Sequence, residues 1–478
     1  MSNTDQHAFS SNSKVSLLGP RLMSGGACLI AVAIATFVIA SRVHFPMELE
    51  WMTGGVLDHI ERVQDGKPLY TEPSDEWIPF IYTPGYYWVA AAAARLFPLV
   101  FAARLVSIAC TVLAAWSAAA LAGLLGATRG WRGLAAALFV SCFTFTSSWY
   151  DIERSDSLFV AMLGWGAYCA IRWPSAKGAA LAGAITGAAF FVKQPATIFV
   201  AFAGAAFAIS RSWRRLFAFL AGAALLFLPT FALLQHRTHG WFSYYCLTLP
   251  ASHGLDSRLV TLFLVVDQSK AFLFTLATFV ALALFVPWRP EPATQKRFLL
   301  VPATPRLVFA AYLAASWAAS AASRMHVGGF PNVLMFWTLF ASVAIAVLAC
   351  EFEQKCATNP LARWMLHGVI ACQVLRFADD PTESIPEPGA IEAADRLRLR
   401  VAEYEAKGGE VLVYGRGHVS KVRHFHSAAL VDVLRQGRPL PSAVHEAFAD
   451  QKYAAVVIDD IHDLTYQFVL PRDVLARR

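Results

Sequence analysis

The sequence predicts an all-α polytopic membrane protein that ends in a small α/β appendage. Three observations carry this. Of 478 residues, 57% are hydrophobic and only 15% charged, where a soluble chain would carry about 25% charged residues. Apolar runs of the roughly 17–25 residues needed to cross a bilayer recur along the chain. They stop near residue 377, where charge rises and shorter periodic segments take over. The net charge of +7 suits basic cytoplasmic loops. No basic run is interleaved with stacking aromatics, so nucleic acid is not an expected partner.

Residues 1–20 are polar and read as a disordered cytoplasmic N-terminus. The candidate spans are 22–40, 82–97, 101–125, 132–149, 156–172, 178–193, 195–210, 215–234, 259–286, 306–322, 331–350 and 361–377. The first is long for a signal peptide and is taken as an uncleaved helix. Basic loops set the orientation: Arg172 with Lys177, then Arg211, Arg214 and Arg215, then Arg289, Lys296, Arg297 and Arg306. Loop 41–81, residues 150–156, 193–195, 235–258 and 323–330, and everything after 378 then lie outside. Three candidate spans separate loop 41–81 from Asp156, yet parity requires an even number. One of 82–97, 101–125 and 132–149 therefore does not cross fully, which leaves about 11 transmembrane helices.

The tail, 378–478, reads as a small extracytoplasmic α/β domain. Residues 387–407 form an amphipathic helix stopped by Gly408-Gly409. Glu410–Tyr414 and Ala454–Ile458 are short buried strands, with helices near 427–436 and 442–451 between them. The eight cysteines are scattered without a CxxC pair and read as small core hydrophobes.

Residues 48–88 are the richest in chemistry. Glu48 and Glu50 follow the first apolar run, and carboxylates at the edge of a hydrocarbon layer are costly unless wet or functional. Residues 51–64 have helical periodicity and could lie along the membrane surface, holding the acids at a cavity mouth. A carboxylate there serves as general base or helps bind a divalent metal; the alternative is an ordinary solvated acidic loop. Asp156 starts a helix, either as an N-cap or as a functional acid, and Arg154 beside it either pairs with acids or binds phosphate. Lys193-Gln194-Pro195 either snorkels at an interface or contacts a phosphate. Between Arg324 and Asn332, glycines allow close backbone approach, and Arg324 and His326 could neutralise a phosphate or sit in a flexible turn. Arg104, inside a span, either has a buried partner or snorkels to the inner face. In the tail, Gly415-Arg416-Gly417 and Asp459-Asp460-Ile461-His462-Asp463 are weak signals, and His418, His424 and His426 read as surface residues.

In order along about residues 20–350, these pieces resemble the GT-C superfamily of membrane glycosyltransferases. The likeness is to bacterial relatives of protein O-mannosyltransferases and lipid A aminoarabinose transferases. It rests on the acidic first loop, Gly66-x-Pro68-x-Tyr70, Tyr82-x-Pro84, Arg104, Asp156, Lys193-Gln194 and Gly328-Gly329-x-x-Asn332. The resemblance implies transfer of a sugar from a polyprenyl-phosphate donor to a glycan, lipid or protein acceptor, outside a bacterial inner membrane. It implies an inverting attack assisted by a carboxylate general base. Glu50 or Glu48 would take the place of the first-loop catalytic acid, and Asp156 that of the second. Tyr82, Arg104, Lys193, Gln194, Arg324, His326 and Asn332 would bind substrate. The family more often has Asp in the first loop, so the Glu-x-Glu spelling leaves the base open between two residues. No clean DxD is present; no cofactor is implied with certainty, and a divalent metal is possible. The competing reading is a transporter or flippase of lipid-linked sugars. Transporters favour mid-membrane sites and paired repeats, whereas the charges here gather at one face.

Overall fold

The computed structural model describes residues 3–270, 305–356, 359–377, 380–435, 439, 441–450 and 452–458, with side chains from Leu18 onward. The expectations for 271–286, Arg289, Lys296, Arg297 and 459–463 lie outside these residues. Helix α1 runs Asn3–Arg42, so residues 3–17, whose composition points to disorder, carry helical backbone continuous with the first span. After it come α2 (Thr53–Gln64), α3 (Gly85–Ala93), α4 (Leu99–Leu124), α5 (Arg129–Ser141), α6 (Asp156–Arg172), α7 (Ala176–Ala188), α8 (Ala196–Ile209) and α9 (Trp213–Arg237). Two helical runs, 241–251 and 257–270, each contain a π turn. Then follow α10 (Pro305–Arg324), α11 (Leu334–Lys355) and α12 (Pro360–Leu375). Leu18–Arg42, Leu99–Leu124, Trp213–Arg237 and Pro331–Lys355 are long and apolar enough to cross a membrane.

Ion pairs mark the two ends of the bundle. Arg42 pairs with Asp151, and Arg104 with Glu153, at one end. Arg21 pairs with Glu353, and Arg306 with Glu351, at the other. Helices α1, α10 and α11 run between these ends. Helix α3 does not. Its nine residues rise about 14 Å against a hydrocarbon core of about 30 Å. Arg104, early in α4, is already back among the carbonyls that follow α1. Residues 82–97 thus hold the shortest helix of the three candidate segments in 82–149, and the residues on either side of it sit at the same end of the bundle.

Small residues let the helices meet closely, as membrane interiors favour. A Cβ on Gly183 of α7 would stand 1.9 Å from the Phe219 carbonyl oxygen of α9, and one on Gly222 of α9 only 2.0 Å from that of Ala180. Seven cysteines are buried within the fold and Cys372 is exposed, all as free thiols.

The tail comprises α13 (Ala390–Ala406), β1 (Glu410–Tyr414), α14 (Ser427–Leu434), α15 (Ser442–Ala449) and β2 (Tyr453–Ile458). The strands pair in parallel, with Leu412 opposite Val456 and Tyr414 opposite Ile458. The tail is clamped onto loop 41–81. Arg416 donates to Glu48 at 2.8 Å, Arg423 to Glu61 at 2.9 Å, and Lys452 to Asp75 at 2.6 Å. The backbone N–H of His418 donates to Asp58 at 3.1 Å. Gly417 lies so close to Gly54 that a Cβ on it would stand 2.2 Å from the Gly54 carbonyl carbon. The Gly-Arg-Gly run is therefore the docking point of the tail. His424 and His426, expected at the surface, are buried; His426 stands 3.1 Å from the Trp51 carbonyl oxygen and packs against Phe80.

Candidate active site

At the end of the bundle marked by Asp151 and Glu153, the loops and the tail enclose a cavity of about 580 Å³. Its frame is set by two buried arginines. Arg104 is fully buried and donates to Glu153 at 2.6 Å and to the carbonyls of Arg42, Phe45 and Met47 at 2.9, 2.6 and 2.5 Å. Arg42 donates to Asp151 and to the Ser384 carbonyl. Buried charges cost several kcal/mol each unless paired and hydrogen-bonded, and here each pair fixes the chain entering the first loop. Arg104 neither snorkels nor reaches the cavity; its donors are spent on holding residues 42–47.

Glu50 and Glu48 separate cleanly. Glu48 accepts from Arg416 and from the backbone N–H of Gly54 and does not line the cavity. Glu50 lines it, with Oε2 buried and without a hydrogen-bond partner. The nearest cation is Arg154, whose Nη1 stands 3.6 Å away and is also unpartnered. Burial drives the Glu50 carboxyl up to about 7, opposed by the charge of Arg154. Arg154 is held by the Tyr82 hydroxyl at 2.7 Å and lies over the rings of Tyr82 and Trp149.

Asp156 is the first residue of α6 and is not its cap, which is Ser155. Its Oδ1 accepts from Lys193 and, at 2.9 Å, from Asn332, and its Oδ2 is buried without a partner. Lys193 is buried and faces the cavity, so it does not snorkel. Gln194 donates to the carbonyls of Ile81 and Cys246 at 2.7 and 3.1 Å, tying the loop after α7 to the segment before α3. His326 and Asn332 line the cavity, and burial holds the His326 imidazole below its ordinary value. Arg324 does not. It donates to Asp267 at 2.9 Å and to the Gly329 carbonyl at 2.7 Å, bracing the turn in which Gly328 has φ +86°.

The cavity thus gathers Glu50, Tyr82, Lys193, Gln194, His326 and Asn332, with Asp156 directly behind them. It leaves out Glu48, Arg104 and Arg324. It adds Arg154, which the sequence reading left between pairing and phosphate binding, and Trp51, His253, Asp432 and Arg435, which that reading did not single out. No local pattern marks the last two, because the tail reaches the cavity only through long-range docking.

A metal does not fit this donor set well. Asp156 is already held by a cation and an amide, and Glu50 faces a guanidinium. Among the described residues, the group with metal-ligand spacing is Asp58, Glu61 and His418, where Arg423 already pairs with both acids.

Sequence and fold agree on the class of molecule. Residues 80–258 match the model of glycosyltransferase family 87, and the resemblance to the GT-C membrane glycosyltransferases is borne out by the fold. ArnT from Cupriavidus metallidurans bound to undecaprenyl phosphate superposes with a TM-score of 0.51 at 12% identity, over 90% of each chain. The apo state of the same protein gives a TM-score of 0.51 at 14% identity, over 92% of this chain and 90% of that one. No curated protein matches the sequence.

Proposed function

We propose that this chain moves a sugar from a polyprenyl-phosphate donor to an acceptor hydroxyl, with Glu50 as general base. The observation that carries the reading is the unpartnered, buried carboxylate oxygen of Glu50 facing a cavity lined by Arg154 and Lys193. Native structures rarely leave such a group unexplained. The acceptor oxygen attacks the anomeric carbon, its proton passes to Glu50, and the carbon–oxygen bond to the donor phosphate breaks with inversion. The departing phosphate keeps the electron pair, and Lys193 and Arg154 stabilise its charge. Asp156 positions Lys193. A polyprenyl-phosphate donor is supported by the likeness to ArnT, a protein captured with undecaprenyl phosphate, and by the two cavity cations.

The cavity opens on the extracytoplasmic side of the inner membrane in this reading, because the basic loops gather at the other end. The tail then lies outside the membrane with the cavity.

The test is sugar transfer from a polyprenyl-phosphate donor by E50Q and E48Q. Loss of a general base costs about 10²–10⁴ in rate, expected for E50Q alone. E48Q retains the base and loosens the tail. Full transfer by E50Q overturns the assignment.

A further inference from the structure

A second set of polar groups shares the cavity with Glu50. The His253 side chain is 4% exposed, with Nε2 3.2 Å from Oδ1 of Asp432 on α14. Its Nδ1 is buried without a hydrogen-bond partner. Arg435 stands 3.5 Å from the same Asp432 oxygen. Phe330, 47% exposed, lines the cavity and lies against Trp149 with ring centroids 5.2 Å apart.

Three features identify what such a surface recognises. The carboxylate and guanidinium offset each other, so neither an anion nor a cation is favoured. Together with an unpartnered imidazole they present both donors and acceptors, which suits hydroxyls that need both. A carboxylate in particular accepts from two neighbouring hydroxyls at once. The Phe330 ring accommodates an apolar C–H face, which a pyranose has and a phosphate lacks.

We propose that Phe330, His253, Asp432 and Arg435 form the acceptor subsite, and that the acceptor presents an uncharged saccharide there. This rests on the glycosyltransferase reading above. It makes α14 of the tail the specificity element, while the donor is held by bundle residues.

The test uses the full-length protein in lipid nanodiscs and saturation-transfer NMR. The donor site is first titrated with undecaprenyl phosphate and then kept saturated. Hexyl β-glucoside, hexyl phosphate and hexylamine are compared as probes of equal chain length, all below detergent concentrations. Saturable binding of the glucoside alone is expected. D432A, H253A and F330A weaken it at least fivefold, and undecaprenyl phosphate affinity stays within twofold of wild type. That unchanged affinity also certifies folding, and D432N serves as a variant of the same shape. Preference for hexyl phosphate or hexylamine overturns the proposal, as does glucoside binding that ignores D432A and D432N. Wild-type protein that binds glucoside through Asp432 but not undecaprenyl phosphate refutes the donor reading and leaves the saccharide subsite standing.

Discussion

The ionisation of Glu50 gives the sharpest prediction. Burial raises its carboxyl from 4.5 to about 7, and Arg154 is the largest opposing influence. A general base works only when ionised. The ionised fraction of a group at about 7 rises from roughly one-eleventh at pH 6 to ten-elevenths at pH 8, so transfer rate should rise about tenfold. An unperturbed glutamate would give a flat profile over that interval. The stability linkage has the opposite sign. The folded state binds the extra proton between about 4.5 and 7, so stability falls as pH rises through that window, by roughly 3 kcal/mol for a shift of this size. The assay is kcat/KM for a polyprenyl-phosphate sugar between pH 5.5 and 8.5, with thermal unfolding of the same samples. In R154M the rising limb should move to higher pH, because the cation that favours ionisation is gone. A limb that stays in place in R154M, or a wild-type rate that is flat from pH 6 to 8, refutes the reasoning.

Other perturbations test the frame. R104M leaves Glu153 buried without its cation and should cost about 3–5 kcal/mol, read as a lower melting temperature from thiol-reactive dye labelling of the buried cysteines; melting unchanged from wild type would contradict it. K193M removes a cation from the cavity and a charged hydrogen bond from Asp156, a loss of about 1.5–3 kcal/mol. Undecaprenyl phosphate affinity should fall about ten- to hundredfold, measured by thermophoresis. G417V puts a side chain where the Gly54 backbone lies, so the tail should become cleavable by mild proteolysis and transfer should be lost. Protease resistance equal to wild type would show that the tail is held by other contacts.

The bundle was legible because membrane spans are written in composition. Apolar runs gave nearly every helix, and charged residues at their ends gave the two faces. What the sequence left open was which of 82–97, 101–125 and 132–149 does not cross fully, since an apolar run of sixteen residues such as 82–97 reads the same whether it crosses or turns back. Most of the cavity was legible too, because Glu50, Tyr82, Lys193, Gln194 and Asn332 stand at helix ends where polar groups are conspicuous. Arg104 has the buried partner that was one of its two readings, and neither it nor Arg324 lines the cavity, for one reason. A buried arginine declares its charge in the sequence but not its partners, and both here are consumed by a carboxylate and backbone carbonyls. The choice between Glu48 and Glu50 depended on Arg416, more than 360 residues away in the chain, and no local signal carries that.

The docking of Gly417 on Gly54 also bears on how the enzyme comes into being. The bundle and its loops supply Glu50, Arg154 and Lys193 to the cavity, whereas Asp432 and Arg435 come from the tail. The wall that carries Asp432 and Arg435 follows every other lining residue in the chain and is seated through the tail's contacts with loop 41–81. The bundle alone therefore presents Glu50, Arg154 and Lys193 in a basin without its Asp432 and Arg435 wall, and docking of the tail adds that wall.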